Sequence, residues 1–158
     1  MSGDARFEDA AEAPLRLLVQ DAEDLQVLSA LVQDAVFPAT EMRWQPRARR
    51  FVLLINRFRW EDHARSEARA RPPERVQALL VIDDVQKVTS QGLPRRPGDL
   101  VLSLLALSFE PGAEGAGRLT LTLAGDGAIA LDVECLSVSL RDVTRPYRAP
   151  SGKVPGHG

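Results

Sequence analysis

Residues 118–133 read RLTLTLAGDGAIALDV. The large apolar side chains of this stretch all fall on odd positions on both sides of a Gly-Asp-Gly segment, namely Leu119, Leu121, Leu123, Ile129, Leu131 and Val133. Such alternation is typical of strands with one buried face. A three-residue loop at 125–127 with a left-handed Gly127 pairs Leu123 with Ile129 and brings both apolar rows to one side. The stretch therefore predicts an antiparallel hairpin within a sheet.

A second hairpin is predicted by the register of two segments joined at 46–49. This four-residue connection places Trp44 opposite Phe51 and Met42 opposite Leu53, so the large apolar side chains share one face. In the second strand of this hairpin the apolar positions change parity after Ile55.

Two such changes of parity predict bends. The first predicts a bulge at 56–57, and the second, after Val133, predicts a bulge near 134–135. Strands that bend twice are typical of strongly curved sheets or partial barrels.

The segment 76–91 carries apolar side chains on both faces, as in a strand that is covered on both sides. It predicts one long strand, or two short ones broken at Asp83 and Asp84. We expect the strand at 100–109 to be its neighbour.

One helix is predicted, and it follows a short strand at 15–19. Asp21 is a good N-cap, Glu23 and Asp24 place negative charge in the first turn, and Pro38 stops the helix. Its apolar stripe consists of Leu25, Leu28, Leu31, Val32, Ala35 and Val36.

These elements predict a single α+β domain with a curved, mainly antiparallel, partial-barrel-like sheet of about six or seven strands and one amphipathic helix near the N-terminus. The domain spans residues 14–144. Residues 1–13 are predicted to be a disordered acidic tail, and residues 145–158 a disordered tail rich in Pro and Gly. Residues 62–75 are a loop, a helix or disordered.

The composition is that of an ordinary globular protein, with 44% hydrophobic and 27% charged residues and a net charge of −2. Its apolar stretches fall far short of a bilayer-spanning helix, and the acidic first 14 residues are unlike a secretory signal. We therefore expect a cytoplasmic protein that does not enter a membrane. The single cysteine, Cys135, allows no internal disulfide, which fits a reducing compartment.

Charge is unevenly distributed along the chain. Residues 1–42 carry −7, whereas residues 43–75 carry +6 and include four aromatic side chains interleaved with arginines. Aromatic and arginine side chains together are typical of single-stranded nucleic-acid grooves. The candidate anion or nucleic-acid surface consists of Arg43, Arg47, Arg49, Arg50, Arg57 and Arg59. The alternative, which we favour, is that Trp44, Phe51, Phe58 and Trp60 belong to the core and the arginines to a solvated face.

Residues that usually carry chemistry are few. His63 lies in an Arg-rich run, His157 lies near the C-terminus, and no serine has a nucleophile-elbow context. Asp132 and Glu134 share the solvent face of a strand, which is ordinary alternation. We therefore predict no catalytic residue, no metal ligand and no cofactor.

Four segments, in order along the chain, resemble an alphaproteobacterial family that carries only a domain-of-unknown-function label. They are DAEDLQVLSALVQDAV (21–36), RRFVLLINRFRWE (49–61), LSLLALSFEP (102–111) and GAIALDVECLSVSLRDV (127–143). The resemblance covers most of the predicted domain, and it implies no activity, cofactor or catalytic residue.

For function we favour a small non-enzymatic binding or protein-interaction module, which could include a homo-oligomer formed through an exposed strand edge. The alternative is an RNA- or DNA-binding protein that uses the hairpin at 43–60. An enzyme of unknown type is the third hypothesis.

Overall fold

The computed structural model describes residues 14–60, 74–93, 100–144 and 147–148. The predicted tail at 1–13, most of the segment 62–75 whose structure the sequence leaves open, with His63, and the end of the chain with His157 lie outside these residues. Only Glu74 and Arg75 of that segment are described, and they begin β5. The described residues form one α-helix, α1 (Ala22–Leu31), two short 3-10 turns (Ala39–Glu41 and Ala113–Gly115) and eleven strands. The strands are β1 (Arg16–Val19), β2 (Ala35–Pro38), β3 (Met42–Gln45), β4 (Arg50–Phe58), β5 (Glu74–Ile82), β6 (Val85–Gln91), β7 (Val101–Pro111), β8 (Gly117–Leu123), β9 (Gly127–Val133), β10 (Val138–Asp142) and β11 (Tyr147–Arg148).

All eleven strands belong to one sheet, and every pair of neighbours is antiparallel. The order of hydrogen-bonded neighbours is β1-β10-β5-β4-β2-β7-β8-β9-β6, with β3 also on β4 and β11 also on β5. The predicted α+β class, with an antiparallel sheet and one helix, is confirmed. The predicted count of about six or seven strands was too low, because several strands are only two to four residues long.

Two long segments of the chain bend and pair with each other on both sides of the bend. β5 continues into β6 across Asp83 and Asp84, and β9 continues into β10 across residues 134–137. β5 pairs with β10, whereas β6 pairs with β9. Of the two alternatives for 76–91, two strands broken at the aspartates is correct. The strand at 100–109 is not their neighbour, because β7 pairs with β2 and β8 instead.

The two predicted hairpins differ in how closely they match the structure. In the first, Trp44 lies opposite Phe51 and Met42 opposite Leu53, as predicted. In the β8–β9 hairpin the pairing is shifted, and Leu123 lies opposite Gly127.

The shift in the β8–β9 hairpin follows from the conformation of its turn. The left-handed residues are Gly125, with φ 80°, and Asp126, with φ 67°, and not Gly127. Leu123 therefore pairs two residues before the predicted partner, Ile129. Because the shift is an even number of residues, the odd-numbered apolar side chains of both strands still share one face.

The bulge predicted at 56–57 does not exist, because β4 pairs with β5 without any shift of register from Phe51 to Phe58. The odd-numbered side chains of β4 continue to face the core, and Arg57 occupies the next core position with no exposed surface. Phe58, on the opposite face, is also buried. The change of apolar parity therefore marks a buried arginine rather than a bend.

Helix α1 begins as predicted but ends earlier. The carboxylate of Asp21 accepts a hydrogen bond of 2.8 Å from the N–H of Asp24, which confirms the N-cap. Ala35 and Val36 were predicted to be helical, yet they belong to β2. Asp34, with φ 63°, turns the chain out of the helix and into the sheet.

One continuous core lies between the sheet and α1. It includes Leu25, Leu28 and Val32 from the helix together with inward side chains from every strand from β1 to β10 except β3, whose Met42 and Trp44 pack against it. Trp44 and Phe51 are thus on the core side, as the favoured alternative predicted. Within the described residues, no helix is both long and apolar enough to span a membrane.

The hydroxyl group of a residue on α1 accepts a hydrogen bond from the backbone of β7, and the contribution of this bond to stability can be tested. Ser29 Oγ accepts a hydrogen bond of 2.9 Å from the N–H of Leu107, beyond the last residue of β7 that pairs with β2. We expect Ser29→Ala to lower the free energy of unfolding by about 1–3 kcal/mol, because it leaves this N–H without a partner. Urea denaturation measures the loss, and Gln26→Ala, at an exposed position of the same helix, is the control. Equal stability of the two variants would contradict the assignment.

Candidate functional site

Arg57 and Asp142 form a buried, bidentate ion pair. Nε of Arg57 lies 3.0 Å from Oδ1 of Asp142, and Nη2 lies 2.9 Å from Oδ2. The side chain of Arg57 is fully buried, and that of Asp142 is 3% exposed. Oδ2 also accepts a hydrogen bond of 2.9 Å from the N–H of Leu15. One carboxylate thus holds β4 and the start of β1 together.

This pair spans a strand. Arg57 is on β4 and Asp142 on β10, with β5 between them. Ala78 of β5, which is fully buried, lies directly opposite Asp142. Because both charged groups are buried and hydrogen-bonded within the fold, the arrangement is structural and offers neither group to a ligand.

Side chains at the end of β4 and just beyond it also form internal contacts. Arg59 is 4% exposed, and its Nη1 lies 3.3 Å from Oε1 of Glu74. The rings of Phe58 and Trp60 meet edge to face with centroids 4.7 Å apart, and the indole N–H of Trp60 donates to the carbonyl of Gln33 at 2.8 Å.

The other four arginines of the predicted surface lie at the β3–β4 hairpin and are accessible. Arg43 donates to the carbonyl of Thr40, and Arg47 is exposed in the turn. Nη2 of Arg49 lies 2.7 Å from Oε1 of Glu134, and Nε of Arg50 lies 2.9 Å from Oδ1 of Asp83.

The structure therefore divides the six predicted arginines into two groups. A side chain with almost no exposed surface cannot contact a nucleic acid, so Arg57 and Arg59 are available only to the fold. The nucleic-acid hypothesis stays a prediction that rests on Arg43, Arg47, Arg49 and Arg50.

A small polar cluster surrounds Cys135 at the bend between β9 and β10. The thiol of Cys135 donates to Oδ2 of Asp84 at 3.1 Å. This hydrogen bond, followed by burial and the charge of Asp84, raises the pKa of Cys135. Beside it, the hydrogen bond from Arg49 lowers the pKa of Glu134 below its ordinary value. A thiol with a raised pKa is a weak nucleophile at neutral pH, so the cluster does not activate Cys135.

The outer face of the sheet carries a different kind of site, a groove of about 470 Å³ across β1, β10 and β5. We call it the outer groove. It is lined by Arg16, Leu17, Leu18, Arg50, Leu79, Val81, Asp83, Ser139, Leu140 and Arg141.

The apolar side chains of the outer groove form cross-strand rows. Leu18 lies opposite Ser139, which lies opposite Val81. Leu18 is 60% exposed, whereas Val81 is half-buried. The groove is therefore an accessible strip with an apolar floor.

Three arginines border this strip. Arg16 lies directly opposite Arg141, and Arg50 closes one end through its ion pair with Asp83. An apolar floor with a cationic border suits an occupant that combines apolar side chains with negative charge.

Sequence reasoning did not identify Arg16, Leu18 or Arg141. The alternation at 15–19 showed which side chains of β1 face outward, but it did not show that β10 would be the neighbour. Only the pairing of strands more than 120 residues apart in sequence brings Arg16 to Arg141.

The described residues thus define a protein built from one antiparallel sheet with a single helix, in which no three His, Cys, Asp or Glu side chains come together to hold a metal ion. A family model described as "Protein of unknown function (DUF2948)" matches residues 15–157. The chain belongs to this family, as the resemblance of its four segments implied. No curated protein and no solved structure matches it.

The buried ion pair generates a prediction about stability. We expect Asp142→Asn to lower the free energy of unfolding by about 3–5 kcal/mol, because it leaves the buried guanidinium of Arg57 without its counter-charge. The double variant Arg57→Met with Asp142→Leu should lose less than Asp142→Asn alone. Urea denaturation measures both. Asp132→Asn, which breaks the exposed pair with Arg118, is the control and should lose much less. A double variant that loses as much as Asp142→Asn, or more, would show that the loss in Asp142→Asn does not come from the unpaired charge of Arg57.

The Cys135 cluster generates a prediction about pH. Asp84→Asn removes the carboxylate that raises the pKa of Cys135, so the thiolate should form at lower pH. Asn tolerates the left-handed conformation of Asp84, which has φ 57°. We expect the profile of reaction rate with a disulfide reagent against pH to move to lower pH in this variant. Asp83→Asn, at the neighbouring position, is the control, and an unchanged profile in Asp84→Asn would refute the assigned hydrogen bond.

Proposed function

We propose that this protein is a non-enzymatic interaction module that binds another protein in the outer groove. The observation that carries this proposal is the apolar outer face of β1 and β5, where Leu18 is 60% exposed beside Leu79 and Val81. Exposed apolar patches bordered by charge are typical of protein–protein contacts.

A comparison within the same sheet supports the proposal. A solvent-facing strand ordinarily carries polar side chains on its outer face. β6 does so, with exposed Lys87, Thr89 and Gln91. On β5, outward positions are occupied by the apolar side chains of Leu79 and Val81. The outer groove thus departs from the pattern that solvation alone would produce.

The second candidate function is nucleic-acid binding at the β3–β4 hairpin. It is favoured by the exposed side chains of Arg43 and Arg47. Two observations weigh against it: Arg49 and Arg50 are each paired with a carboxylate, and the aromatic side chains near them face the core. Protein binding is therefore the stronger proposal, and we place it in the cytoplasm because the chain uses a single cysteine.

The proposal is tested by site-specific photocrosslinking in the cells that make the protein. A benzophenone side chain at position 18 should give one discrete adduct with another protein. The same side chain at position 27, where Val27 is 55% exposed on α1 and outside the outer groove, should give none. Arg141→Glu should abolish the adduct at position 18, because it reverses the charge of the border.

Four results would contradict this prediction. Equal adducts at positions 18 and 27, or an adduct that is insensitive to Arg141→Glu, would show that the outer groove is not selective. An adduct of twice the protein's own mass would identify the occupant as a second copy. Nucleic acid that copurifies at low salt, and is lost from the triple variant Arg47→Ala, Arg49→Ala and Arg50→Ala, would favour the second candidate.

A further inference from the structure

Arg16 and Arg141 are direct neighbours across the β1–β10 ladder. The N–H of Asp142 donates to the carbonyl of Leu15 at 2.9 Å, so the pair Leu15 and Asp142 is a hydrogen-bonded one. Since such pairs alternate in an antiparallel ladder, Arg16 and Arg141 form a non-hydrogen-bonded pair, in which the side chains approach most closely. Like charges in this position destabilise a sheet.

No carboxylate among the described residues lies within ion-pair distance of either arginine, since the pairs of this region join Arg50 to Asp83 and Arg57 to Asp142. Two guanidinium groups on one face, without a counter-charge, attract an anion placed between them.

Among the described residues, no strand pairs with the edge of β1 next to these arginines. Because Leu15, Leu17 and Val19 direct their backbone groups toward β10, the N–H and C=O groups of Arg16 and Leu18 point away from it. β1 is the first strand of the ladder path, and both residues are exposed. An open edge offers these groups to another extended chain.

The other end of the path, β6, lacks the features of a docking edge. Its side chains are polar, it carries Lys87, and its register is interrupted between Val85 and Lys87. A lysine and an irregular register are both devices that keep an edge from pairing. β1 has neither, and it presents Leu18 instead.

A second copy of this chain is a poor occupant for the β1 edge. Pairing two β1 strands would bring Arg16 and Arg141 of each copy to one small region, with four like charges and no carboxylate between them. The repulsion favours a partner that carries the opposite charge.

We propose that the partner lies beside the outer groove as an extended peptide segment that pairs with the edge of β1 left unpaired among the described residues. It places a carboxylate beside Arg16, on the face toward which the side chain of Arg141 also projects, and an apolar side chain against Leu18. This inference rests on the proposed function. Arg16 and Leu18 are two residues apart on one face, so the segment carries Glu or Asp two residues from a large aliphatic residue. The backbone hydrogen bonds provide affinity, and the two side chains provide specificity.

Two substitutions at one position separate strand pairing from side-chain contact. Leu18→Ala removes the aliphatic side chain and keeps the outward N–H. Leu18→Pro also removes the N–H, which does not serve the β1–β10 ladder and is therefore dispensable for the fold. Urea denaturation of both variants verifies that they are folded.

The probes are two synthetic peptides, acetyl-Thr-Thr-Leu-Thr-Glu-Thr-Thr-amide for antiparallel pairing with β1 and acetyl-Thr-Thr-Glu-Thr-Leu-Thr-Thr-amide for parallel pairing. Each is titrated to about 5 mM into nitrogen-15-labelled protein, a range that captures weak single-segment binding. We expect the amide signals of Arg16, Leu18 and Arg141 to shift most. Leu18→Pro should weaken binding about tenfold relative to Leu18→Ala, the size of one well-formed hydrogen bond. Arg141→Glu and a Lys-for-Glu peptide should each abolish the shifts, and Arg47→Glu, at the exposed hairpin, should leave them unchanged.

The outcomes distinguish this inference from the proposed function. Equal binding by Leu18→Pro and Leu18→Ala, with the loss in Arg141→Glu retained, would refute strand pairing and leave protein binding in the outer groove intact. Shifts centred on the hairpin at 46–50, or no shifts at all, would refute the inference outright. If no photocrosslinked adduct forms at position 18 either, the proposed function is contradicted together with the inference.

Discussion

The ion pair between Arg57 and Asp142 is the constraint on which the arrangement of the strands depends. It joins β4 to β10 across β5, and through the N–H of Leu15 it also holds the start of β1. A buried charge without its partner is strongly unfavourable, so alternative pairings of these strands that separate the two groups are excluded. The register of the sheet in this region is therefore specified by charge as well as by apolar packing.

This placement of β1 has a consequence on the opposite face of the sheet. With Asp142 directed inward, its neighbour Arg141 is directed outward, and the same ladder brings Arg16 beside it. The inward pair is neutralised, whereas the outward pair consists of two like charges. One face of β10 thus stabilises the fold, and the other provides the border of the outer groove.

The two faces also differ in their use of apolar side chains. Inside, Leu80 and Ile82 of β5 are fully buried in the core. Outside, Leu79 and Val81 remain partly accessible beside the exposed Leu18. A strand that is apolar on both faces is usually covered on both faces. In β5 the outer cover is incomplete among the described residues, and this observation underlies the proposal that a partner binds there.

Three local features of this protein followed from the sequence alone, namely the Asp21 cap, the register of the β3–β4 hairpin and the inward faces of β8 and β9. The break at Asp83 and Asp84 was one of two alternatives that the sequence left open. Each of the three features depends on interactions between residues close together in the chain, which alternation and turn chemistry encode. Only the tertiary structure decided that Arg57 is buried and that Arg16 meets Arg141, because both facts depend on pairing between segments far apart in the chain. Local periodicity carries no information about which distant strand becomes a neighbour, and an arginine in a strand looks solvated until its buried counter-charge is known.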